Sequence, residues 1–150
     1  MAAKSNFDEK QLIDRNQTAF ETMMLIFVLL MISIFIKIIH GPWAAGYTEE
    51  SVFLFIPMAY FFGRSTLKGA NFSMKEKNPK LVAGLAMIAG LLCLVTFSVS
   101  LMKGASLIEN GMLSGEWYYL LLSLPVLSIA IAYLIRSKTN KTGLENLNES

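Results

Sequence analysis

RSTLKGANFSMKEKNPK, residues 64–80, decides how this chain is read. Five basic residues, Arg64, Lys68, Lys75, Lys77 and Lys80, sit there between two apolar runs. On either side the pattern alternates. The N-terminal segment carries Lys4, Lys10 and Arg15, and the C-terminal one Arg136, Lys138 and Lys141. The other two connections have only Lys37 and Lys103, at the ends of apolar runs. Eleven of the thirteen Lys and Arg residues thus fall in alternate segments around four apolar stretches. Cytoplasmic loops are enriched in Lys and Arg, which predicts both tails and the 64–80 connection on the inner side of a membrane. The expected fold is all-α, a polytopic membrane protein built as a bundle of four transmembrane helices. Residues 1–150 form one domain, with spans at about 22–39, 48–67, 81–102 and 117–135 and short cytoplasmic tails.

Composition agrees with that class. Hydrophobic residues make up 54% and charged residues 16% of the 150, against about a quarter charged in soluble domains. The net charge of +2 is small and does not point to nucleic acid. Cys93 is the single cysteine, so neither an internal disulfide nor a CxxC site can form. A cleaved signal peptide is the competing reading of the first run. Asp8, Glu9, Asp14 and Glu21 before it, and its length from Thr22 to Ile39, argue against that.

The runs have local punctuation. Gly41-Pro42 stops the first, with Trp43 and Tyr47 at the headgroup level. Asn78-Pro79 introduces the third, and Trp117, Tyr118 and Tyr119 open the fourth. The second is weak: Val52 to Gly63 is short, and spanning requires about Thr48 to Leu67, with Pro57 expected to kink it. A re-entrant hairpin competes there, but would place the basic connection outside. The segment Ser5 to Thr18 reads as a short amphipathic helix or a disordered tail, and the chain from Ser137 as disordered. The connection from Lys103 to Glu116 reads as a polar, Gly-containing loop.

Two features draw attention. Ala83, Ala86, Gly90 and Cys93, spaced 3, 4 and 3, share one helix face and suit close helix packing. That packing is either within the chain or against a second copy or larger membrane partner. Arg64 follows Tyr60 by four positions, so the two share a face. Arg64 reads either as an anchor in the inner headgroups or as a cation binding an anion or lipid headgroup. Glu49 and Glu50 read as solvated at the outer rim, and Lys37 as snorkelling there. His40 reads as interfacial. No carboxylate is placed inside a span, which weighs against an ion-coupled carrier. One interfacial His and no aspartate after Asp14 leave no Ser/His/Asp set, so no enzyme, cofactor or metal is expected.

The stretch Tyr47-Thr48-Glu49-Glu50 through Tyr60, then Gly63-Arg64-Ser65 and Gly69, with Ile32 to Lys37 before it, resembles patterns of uncharacterised bacterial families of small four-span membrane proteins. The resemblance covers about residues 22–70 and implies a bacterial plasma-membrane protein. It carries no catalytic or binding residue. The expected function is that of a non-enzymatic integral membrane accessory or interaction protein, transporter-associated or an immunity or stress-response factor. Its partners would be the lipid bilayer and a second copy or larger membrane protein. A small oligomeric transporter is the alternative.

Overall fold

A computed structural model describes residues 8–72 and 78–148, with side chains through residue 139. Lys4, Lys75 and Lys77 of the charge pattern lie outside the described residues, as does the side chain of Lys141. The described chain is helical but for one short hairpin. Helices α1 (Glu9–His40), α2 (Thr48–Lys68), α3 (Pro79–Met102) and α4 (Trp117–Asn148) follow one another, with strands β1 (Ile108–Glu109) and β2 (Met112–Leu113) between α3 and α4.

The helix ends follow from local chemistry. Asp8 caps α1: its carboxylate accepts from the backbone N–H of Glu9 at 2.8 Å, and Gln11 Oε1 accepts from the N–H of Asp8 at 3.2 Å. This capping box starts the helix well before Thr22, so the N-terminal segment continues the first span in one 32-residue helix. Gly41 closes α1 at φ +80°, its N–H bonded to Lys37 O. Pro79 occupies the first turn of α3, where its missing N–H costs nothing. Pro57 and Pro125 lie within α2 and α4 without ending them. Beyond Ser137, where the composition predicts a disordered tail, α4 runs on to Asn148. Extending an existing helix needs no new nucleus.

The hairpin is the second departure from expectation. Ile108 pairs with Leu113 and Glu109 with Met112. The turn is Asn110-Gly111, at φ +51° and +78°. Asn-Gly is the preferred pair for a turn whose two central residues have positive φ. The hairpin straps the end of the molecule: Leu113 N–H donates to Trp43 O at 2.9 Å, and Ala45 N–H donates to Leu113 O at 2.7 Å. Thr48, fully buried, donates to Ser114 O at 2.8 Å.

The third departure is the arrangement of the helices. Close packing joins α1 to α2, α2 to α4 and α4 to α3. The four therefore form an open row, with α1 and α3 on its flanks, rather than a closed bundle. Small and polar residues explain where contact occurs. Among the described residues, the buried apolar side chains include Phe55, Leu121 and the alanines 70, 83, 130 and 132. Gly63 of α2 faces Ser128 of α4, and Gly90 of α3 faces Leu127. Small residues let helix backbones approach closely. Larger apolar side chains point outward: Phe27 is 60% exposed, Ile38 74% and Leu92 61%. A surface this apolar is far beyond what a soluble monomer shows.

Candidate functional site

Polar side chains gather on the seam between α1 and α2, in two clusters near the ends of α2. The first is built on Glu21. Tyr60 donates its hydroxyl to Glu21 Oε2 at 2.8 Å, and Arg64 donates from Nη2 to Oε1 at 2.9 Å. Arg64 Nε stands 2.5 Å from Oε2, outside hydrogen-bond alignment. The guanidinium therefore joins the two helices by one charge-assisted hydrogen bond and a close ion pair to the same carboxylate. The Arg64 Cζ lies 5.9 Å from the centre of the Tyr60 ring. Next along the seam, Gln17 donates to Glu21 Oε1 at 3.2 Å, and Lys68 donates to Gln17 Oε1 at 3.0 Å and stands 3.7 Å from Asp14. Gln11 then reaches the carbonyl of Gly69 at 2.9 Å. Positions 14, 17 and 21 of α1 thus run antiparallel to 60, 64 and 68 of α2, each set spaced to keep one face.

The second cluster centres on Glu49. Buried Ser33 donates to Glu49 Oε1 at 2.8 Å, and Trp43 Nε1 donates to Ser33 Oγ at 2.9 Å. Lys37 Nζ pairs with Glu49 Oε2 at 2.7 Å. Glu49 is only 19% exposed, so it is held inside the cluster rather than solvated as expected. Lys37 likewise has a protein partner.

The structure brings Tyr60 and Arg64 together and adds Glu21, a residue the sequence had assigned to the tail. The available signal was an acid entering one apolar run while a base leaves the next, which places them at one level when the helices are antiparallel. Arg64 remains 42% exposed, so the guanidinium is tied on one edge and open beyond it. On α3, Ala83 and Gly90 are buried and Ala86 and Cys93 half-buried, while Ala89 is exposed. Both oxygens of Glu21 and of Glu49 face donors, an arrangement that fastens α1 to α2.

Coupling across the first cluster is measurable. Glu21→Gln and Arg64→Gln should each lower the melting temperature in mild detergent. The double variant should cost clearly less than the two together, because each single change leaves a partner unpaired. Additive losses would show that the residues act separately.

The fold and seam define a class. This is a helical protein in which Glu9–His40, Pro79–Met102 and Trp117–Thr139 are long and apolar enough to cross a membrane. α2, the shortest of the four, is not among these and packs between α1 and α4. The chain belongs to a family of unknown function, DUF6773, which it matches over residues 1–143. No curated protein and no solved structure matches it.

Proposed function

We propose that all four helices cross a bacterial plasma membrane, with both termini and the 64–80 connection cytoplasmic. The protein then acts as a non-enzymatic accessory subunit of a larger membrane assembly. For α2 the support is its register. Twenty-one residues reach about 32 Å at helical rise, close to the ~30 Å of a hydrocarbon core. Its first turn is tied to the second half of α1 through Glu49, and its last turns to the first half through Arg64 and Lys68. A helix fastened at both levels of a spanning neighbour shares its slab. The sidedness rests on the basic segments.

The accessory role rests chiefly on the open row. Only Thr18 and Ser33 of α1, and Ala83 and Gly90 of α3, are buried by the chain itself. Each flank keeps a full apolar face for lipid or another protein, and the polar groups of the seam serve to hold α1 in place. Affinity purification in mild detergent, followed by mass spectrometry, tests this. A second membrane protein at fixed stoichiometry is the expected result. A lone homo-oligomer would reject the accessory role and favour a small transporter.

A further inference from the structure

On the side of the row away from α1, α3 and α4 part to leave a cleft of about 430 Å³. Its walls have helical regularity. From α3 come Lys80, Ala83, Gly84 and Met87, and from α4 come Ala130, Tyr133, Leu134 and Ser137. Each set has the spacing i, i+3, i+4, i+7, one face of one helix. The helices run antiparallel and touch closely where Gly90 meets Leu127, so the cleft is the flare beyond that contact. Polarity is graded along it. Lys80 opens α3 and Ser137 stands at the far side of the set on α4, so cation and hydroxyl share one end with Tyr133 a turn away. The rest of the lining is apolar.

Three further observations bear on the occupant. Lys80 forms no ion pair or hydrogen bond with the described residues, whereas Arg64 and Lys68 at this end are engaged by Glu21, Gln17 and Asp14. Tyr133 meets Phe72 edge-on at 5.9 Å, which fixes its ring while its hydroxyl bonds none of the described residues. A Cβ built on Gly84 meets no heavy atom within 4 Å, so the middle of the cleft is open along its wall.

We propose that this cleft holds one anionic phospholipid of the inner leaflet. Its phosphate would take Lys80 Nζ and the hydroxyls of Tyr133 and Ser137. An acyl chain would lie along Ala83, Gly84 and Leu134. The charge of Lys80 matches an anionic headgroup, and basic pockets between helices on the cytoplasmic side suit such lipids. The apolar part is continuous with the exposed face of α3, so the chain enters from the bilayer without crossing a polar barrier. A free phosphate ion would use the polar end and leave the apolar length unfilled. The inference rests on the reading that α3 and α4 cross the membrane.

The test uses the full chain purified in mild detergent, with native mass spectrometry against phosphatidylglycerol and phosphatidylcholine. One phosphatidylglycerol should bind with at least a tenfold preference. Lys80→Gln should abolish the preference. Gly84→Leu, which meets no protein atom at its Cβ, should weaken binding about tenfold with the melting temperature unchanged. Excess inorganic phosphate should not displace the lipid. Equal binding of both lipids, unaltered binding in both variants, or displacement by phosphate would overturn the proposal. An alkaline wash of membranes separates this from the reading beneath it. Release of the wild-type chain would reject the spanning helices and the lipid site together. Retention without lipid selectivity would reject the site alone.

Discussion

Gly90→Leu should be the most damaging single substitution on α3. A Cβ at this position would stand 2.5 Å from both Cγ and Cδ2 of Leu127, and 3.5 Å from its backbone nitrogen. The Leu127 side chain can shift, but the backbone of α4 behind it cannot move without opening the interface. Overpacking typically costs about 1–3 kcal/mol, and the bulk of Leu puts this change toward the upper end. Replacing Gly within a helix returns at most about 1 kcal/mol of propensity, so the clash wins. Ala89→Leu adds a similar side chain at an exposed neighbour about 100° around the helix and should be near neutral. Thermal melts in mild detergent compare the two. Equal stability would mean that α3 and α4 do not pack at Gly90.

Gly69→Ala should be nearly as costly, for two separable reasons. Gly69 ends α2 at φ +76°, ψ +15°, the left-handed region that disfavours a side chain by about 1–2 kcal/mol. A Cβ there would also lie 2.2 Å from both Nη1 and Nη2 of Arg136, whose guanidinium covers this helix end. A cation at a helix C-terminus is favoured by the helix dipole, so displacing it forfeits a further contribution. In an Arg136→Ala background, Gly69→Ala should cost only the backbone part. Gly69→Asn, which tolerates the left-handed region better, should lose mainly the Arg136 contact. Melting temperatures of the four variants distinguish the terms. A neutral Gly69→Ala would show that α2 does not end this way.

Where the fold was readable, it was readable because the signal is local. Gly41-Pro42 cannot continue a helix, and Asn78-Pro79 marks a start. The Asp8–Gln11 capping box and the Asn110-Gly111 turn are equally local signals, set within polar segments that also suit a tail and a loop. The open row was not legible. Apolar periodicity on α1 and α3 says only that they prefer a non-aqueous surrounding. Whether a face meets lipid or another helix depends on register between elements far apart in sequence. The same limit applies to the site. Arg64 beside Tyr60 stood out by spacing on one helix, whereas Glu21 joined them through the antiparallel level of α1 against α2. In sequence Lys37 and Glu49 are separate rim charges, and only the turn between α1 and α2 makes them partners.

The four-span arrangement is tested most directly by cysteine accessibility in intact cells. Cys93→Ala removes the native thiol, and Asn78→Cys and Glu109→Cys place single exposed probes at the two ends of α3. An impermeant thiol reagent should label position 109 in intact cells, and position 78 only after the membrane is permeabilised. Labelling of position 78 in intact cells would place the basic connection outside and make α2 a re-entrant segment, contradicting the account.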